Sequence, residues 1–180
     1  MILPFKSRVL NALTAALKGI HPDAELDYYT DMRDFDGDRS RVFRGRAWFG
    51  ESDPLPMISI LEGVSPADEV AEPPVDTTTG EFDWPLTIQG FVDDDPLNPT
   101  DPAYLLLADV RQCLAAERVR KVPGGRMPDP LGLGIDGKNR ITSITIGPGV
   151  VRPADDVSSK AYFWLSLVVR VVDNAAAPRG

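Results

Sequence analysis

A reaction centre needs side chains that move protons, attack a substrate or hold a metal, arranged so that they meet. This sequence offers few. Its one histidine, His21, stands beside Pro22 after an apolar segment, and its one cysteine, Cys113, has no partner thiol. One imidazole and one thiol make no zinc ligand set, and a lone cysteine closes no internal disulfide. A Ser–His–Asp relay drawn through His21 lacks a nucleophile elbow of the G-x-S-x-G kind. His21 is therefore expected at an exposed helix end, and Cys113 is expected to pack as a small core residue.

Four further patterns invite a chemical reading. Gly132, Gly134 and Gly137 spell G-x-G-x-x-G, which binds a pyrophosphate when it follows a strand and opens a helix. Here it follows a Pro/Gly segment and runs into a predicted strand, so no helix N-terminus would face the phosphates. Asp34-Phe35-Asp36-Gly37-Asp38 suggests a calcium loop, yet Gly37 is fourth where an EF-hand needs glycine sixth, and the twelfth position is Gly45. Asp93-Asp94-Asp95 reads as a solvated acidic turn before Pro96, in preference to a metal triad. Arg41, Arg44 and Arg46 could touch phosphate, but a wet strand face or a subunit interface explains them in an acidic protein. No catalytic, cofactor-binding or metal-ligating residue is assigned, and no cofactor is expected; the chain is read as not an enzyme.

The balance of charge points the same way. A formal net charge of -8 disfavours a protein that grips nucleic acid through its phosphates, which takes an excess of Lys and Arg. Lys6, Arg8 and Lys18 interrupt the apolar residues of positions 1–20, making a poor signal peptide. The longest apolar run, Ala161 to Val172, contains Ser166 and Arg170 and is too short for a spanning helix. A soluble, intracellular protein without membrane contact is expected.

The elements that would carry these residues are legible in the spacing. Phe5, Val9, Ala12, Leu13, Ala16, Leu17 and Ile20 recur at helical intervals, begun by Pro4 and closed by Gly19 and Pro22. Asp27 to Ser40 reads as an acidic loop. Arg41 to Phe49 alternates, with Phe43, Gly45, Ala47 and Phe49 on one face and Arg44 and Arg46 on the other. Pro56 to Leu61 is a short strand, Gly63 to Gly80 a long loop, and Trp84 to Val92 a strand with Trp84, Leu86, Ile88 and Val92 inward. Asp101 as N-cap and Pro102 as first residue predict a second helix to about Arg118, with Leu106, Val110, Cys113 and Leu114 as its stripe. Val122 to Lys138 is a loop, Arg140 to Gly147 a strand, Pro148 to Ser159 a loop, and Ala161 to Asp173 a long strand. The expected fold is α+β: a largely antiparallel sheet with two main helices packed on one face, and long loops. One domain is expected over residues 1–173, followed by a disordered tail over 174–180.

Taken in order, these blocks resemble the tail terminator (tail completion) proteins of long-tailed bacteriophages. The resemblance rests on the opening helix with its Arg8-Val9-Leu10 to Leu17 stripe and on Pro56-Met57-Ile58-Ser59-Ile60-Leu61-Glu62-Gly63. It continues through Trp84-Pro85-Leu86-Thr87-Ile88-Gln89-Gly90-Phe91 and Pro99-Thr100-Asp101-Pro102-Ala103, leading to Leu107-Ala108-Asp109-Val110. It closes with Ile144-Thr145-Ile146-Gly147-Pro148-Gly149 and Tyr162-Phe163-Trp164-Leu165. What the resemblance implies is a homo-oligomeric ring, usually a hexamer, that binds the last ring of tail tube protein and stops its polymerisation. Its opposite face would dock the head–tail connector, and DNA would pass through the lumen without specific binding. The implied location is the virion tail, after assembly in the host cytoplasm. Neck, head-closure and tail-tube proteins share small α+β folds of this kind, and a small-ligand-binding or enzymatic α+β module is the reading from a different class.

Overall fold

Two apolar stripes at helical spacing and one long β-rich segment set the architecture. The computed structural model describes residues 3–21, 28–33, 40–48, 50, 53–63, 78–134, 140–156 and 158–177. Helix α1 (Phe5–Lys18) follows Pro4 as N-cap and buries Phe5, Val9, Leu13 and Leu17. Helix α2 (Asp101–Arg118) buries Ala103, Leu106, Leu107, Val110 and Leu114. Its N-cap is Thr100 and not Asp101, one residue earlier than the sequence suggests. The preceding turn is already wound: the Asp101 N–H donates to the Asn98 carbonyl at 3.0 Å. Asp101 still favours the helix from its first turn, where a carboxylate meets the positive end of the dipole.

Six strands form one mixed, mostly antiparallel sheet: β1 (Val42–Arg44), β2 (Met57–Glu62), β3 (Thr79–Phe91), β4 (Ile141–Ile146), β5 (Val150–Arg152) and β6 (Tyr162–Asn174). The order is β1-β2-β3-β6-β4, with β5 also on β6; only the β1–β2 pair is parallel. β3 and β6 pair along their whole length, from Thr79 opposite Asn174 to Phe91 opposite Tyr162. Because side chains alternate across a strand, one parity of each points to the helices. Ile58 and Ile60, Trp84, Leu86 and Ile88, and Phe163, Leu165, Leu167, Val169 and Val171 all join α1 and α2 in one buried cluster. The α+β architecture is as expected, with both helices packed into that one cluster.

Several elements differ from the alternation read in the sequence. The strand predicted over Arg41–Phe49 stops at Arg44, because Gly45 takes φ +70°, a left-handed conformation that ends the extended chain. β3 begins at Thr79 and not at Trp84, its first residues held by the end of β6. Pro85 marks where β2 leaves. Its carbonyl accepts the Gly63 N–H at 2.8 Å, so its ring nitrogen, which has no proton to give, faces the same side. The predicted loop Pro148–Ser159 contains β5, and β6 runs on to Asn174, where a turn follows with the Ala175 N–H on the Thr78 carbonyl. Tyr28–Thr30 forms a 3-10 turn within the predicted loop 27–40. The Asp34–Asp38 motif, residues 64–77 of the second predicted loop, and tail residues 178–180 lie outside the described residues.

Candidate interaction surface

The residues singled out for chemistry are dispersed by the fold. His21 is exposed just beyond α1. Cys113 is half-buried on α2, its thiol donating to the Ala16 carbonyl at 3.4 Å. Burial, helped by the nearby Glu117 carboxylate, pushes that thiol up to about 11, so at neutral pH it is a thiol and no nucleophile. Of the glycine motif, Gly132 ends a 3-10 turn at φ +65° and Gly134 donates its N–H to Asp129 Oδ1 at 2.7 Å, while Gly137 lies outside the described residues. Among the described residues no helix follows Gly134; the next element is β4.

The aspartate triplet turns out to be a clasp. Asp93 pairs with Lys160 at 2.8 Å, Asp94 accepts the Ala161 N–H at 2.6 Å, and Asp95 accepts the N–H groups of Leu97 and Asn98 at 2.8 and 2.7 Å. Each carboxylate is committed to holding the end of β3 against the start of β6 or to shaping the next turn. Among the described residues no group of three or more His, Cys, Asp or Glu is placed to hold a metal, and no helix is long and apolar enough to cross a membrane.

The three arginines part company. Arg41 is 8% exposed and donates to the Pro56 carbonyl, holding the start of β1 to the start of β2. Arg44 turns to the helices and donates to Asn11 on α1. Arg46 lies instead over the Phe43 ring, 4.7 Å from its centre, near Trp48 at 5.6 Å, and pairs with Asp53 at 2.5 Å. The expected common face for Arg44 and Arg46 is therefore wrong, and Gly45 between them is the cause: its positive φ reverses the alternation.

Arg46 belongs to the sheet face that the helices leave uncovered. At one end this face is aromatic. Met57, Phe91 and Tyr162 are buried there beneath Phe43, Leu55 and Trp164, with Phe91 stacked on Tyr162 at 6.0 Å and Arg152 over Trp164 at 5.9 Å. Trp48 stands 71% exposed beside them. The Tyr162 hydroxyl donates to Asp155 at 2.9 Å, and burial together with that carboxylate raises its pKa. Gln89, opposite both Ser59 and Trp164, has its Oε1 shielded with no hydrogen-bond partner among the described residues; a buried acceptor left unmet costs about 1–3 kcal/mol. At the other end the face is ionic: Arg170 makes two bonds to Asp83, at 2.6 and 3.0 Å, and Thr142 donates to Glu81 at 2.5 Å.

A second surface lies on the outer side of α2. Ala108, Arg111, Gln112, Ala115 and Arg118 line an open groove of about 490 Å³ closed on one side by Ile146 of β4. Their spacing of three, four and seven residues is the mark of one helix face. Sequence reading passed over this stripe because alanine and arginine look like ordinary solvent-facing residues until β4 is placed beside them. Leu97, in the loop Asp93–Pro99 that the sequence offers together with Gly63–Asp83 as a candidate for ring or tube contacts, is 87% exposed. No protein-family model matches this sequence, and no curated protein matches it either.

Proposed function

We propose that this protein is a structural component of a long-tailed phage that closes into a ring and caps the head-proximal end of the tail tube, stopping polymerisation and offering the docking surface for the head connector. The observation that supports it is the way the resembling blocks fall on the fold. The Arg8–Leu17 block is α1, Met57–Glu62 is β2, Trp84–Phe91 the inner part of β3, Asp101–Val110 the start of α2, and Tyr162–Leu165 the start of β6. The blocks thus make up the scaffold itself, and the uncovered sheet face and the loops remain for contacts, as loops on a rigid sheet commonly do. An acidic ring would also repel passing DNA instead of trapping it, which suits a conduit.

The test is genetic. A tube end presents the same surface to every incoming ring, so growth stops at the proper length only when something that cannot be extended binds there. Loss of the gene should leave DNA-filled heads without tails, beside tubes of abnormal and variable length in electron micrographs. Tubes of uniform normal length that fail to join leaking heads would overturn the capping role and promote a head-closure role.

A further inference from the structure

The chain is acidic overall, but its charge is segregated along α2. From Asp93 to Asp101 there are four aspartates and no cation; from Arg111 to Arg126 there are five cations and the single carboxylate Glu117. α2 spans these segments, and its 18 residues set its ends ~27 Å apart. Lys160 pairs with Asp93 and Glu117 with Arg120, so Asp94, Asp95 and Asp101 carry an acidic pole at one end of the helix, and Arg111, Arg118, Lys121 and Arg126 carry a basic pole towards the other.

Each pole also carries an apolar feature of matching form. At the acidic pole Leu97 projects into solvent, the most exposed of the large apolar side chains among the described residues. It is presented rigidly, because the Asp95 carboxylate ties down both its own N–H and that of Asn98, and prolines stand at 96 and 99. Little conformational entropy would be lost on docking it. Towards the basic pole the α2 groove is lined by Ala108, Ala115 and Ile146 together with Arg111, Gln112 and Arg118.

We propose that copies of this chain join head to tail, the Leu97 knob of one seated in the Ala108–Ala115 groove of the next, with the aspartates around the knob facing Arg111 and Arg118. The proposal rests on the ring reading above and names its contact. Two identical acidic poles repel, as do two basic ones, so a two-fold pairing of like patches is disfavoured. Unlike patches on different parts of the surface give the heterologous contact that rings require. One knob and groove cover less than the ~1,200 Å² of a stable interface, so association should be weak in free solution, strengthened on a tube end and loosened by salt.

The experiment is sedimentation velocity, with and without tail tubes, on wild type, Leu97→Glu, Ala115→Arg and an equimolar mixture of the two variants. Both sites are exposed, so circular dichroism should find both variants folded. Wild type should associate, and each variant alone should bind itself about tenfold or more weakly. The mixture should recover a dimer, because it retains one intact knob and one intact groove. Variants that form rings as wild type does would overturn the contact and leave the ring reading standing. A mixture that recovers no dimer would overturn the contact too. Wild type that never associates, even on tubes, would overturn both.

Discussion

Phe163 and Trp164 are neighbours in β6, and the sheet sends their rings to opposite faces. Phe163 is fully buried under the helices against Gly90; Trp164 is half-buried on the uncovered face beside Arg152. The first face is closed and apolar, and its side chains do little besides fill space. The second is built from stacked rings, cations over rings and ion pairs, contacts that survive partial exposure to water. The difference teaches that burial alone does not divide scaffold from surface here. The chemistry of the contacts does: apolar packing closes the first face, while rings, cations and ion pairs build the second.

Truncation tests the contrast most strongly. Phe163→Ala should cost about 3–5 kcal/mol in urea unfolding, the range for a fully buried aromatic, whereas Trp164→Ala should cost about 1–2 kcal/mol in proportion to its smaller buried area. Equal losses would mean that both faces are load-carrying core. Next in size is Gly90→Ala. A methyl group there would collide with the Phe163 ring, and overpacking of this kind costs about 1–3 kcal/mol. Combined with Phe163→Leu the penalty should shrink, a coupling that a double-mutant cycle measures.

The smallest effect concerns pH and is read on the ion pairs of the uncovered face. The Arg170 guanidinium holds the Asp83 carboxyl below its ordinary value, and the Gly50 N–H, with Arg46, does the same for Asp53. A carboxylate whose pKa is lowered on folding stabilises the folded chain fully above the unfolded value of roughly 4, and that contribution is lost as pH falls through the folded value. The urea midpoint of wild type should therefore drop more between about pH 6 and about pH 3 than that of Asp83→Asn. Identical slopes would show that this exposed pair contributes nothing, the common result for surface ion pairs.

The helix-covered half of the molecule was legible in the sequence because apolar spacing and burial are the same fact seen twice. Phe5, Val9, Leu13 and Leu17 declared α1, and the β-rich run to Asp173 declared β6. The uncovered half was less so. The first part of β3 does alternate, Phe82 and Trp84 inward against exposed Glu81 and Asp83, but Gly80 and the two carboxylates look like loop residues until β6 is placed beside them. β5 is three residues between Gly149 at φ +75° and Pro153, too short to carry a period. The reversal at Gly45 depends on a backbone angle, and the α2 groove depends on where β4 lies; neither is a property of local sequence. For function the sequence offered a resemblance among blocks; in the fold the Cys113 thiol bonds a helix carbonyl and the Asp93–Asp95 carboxylates hold strand and turn ends.

The β3–β6 ladder has a consequence in time. Its partners are about 70 to 95 residues apart in the chain, so closing it carries a large loop entropy before any ladder bond rewards it. β2 and β3 can pair much earlier, as can the residues within α2. Until β6 arrives, that early hairpin offers the whole length of β3 as an open edge with Trp84, Leu86 and Ile88 uncovered beside it, the kind of template on which chains aggregate. Glu81, Asp83 and Pro85 lie along the same strand. In the finished protein the two carboxylates decorate a surface; during folding, their charge disfavours the pairing of that edge with the wrong strand.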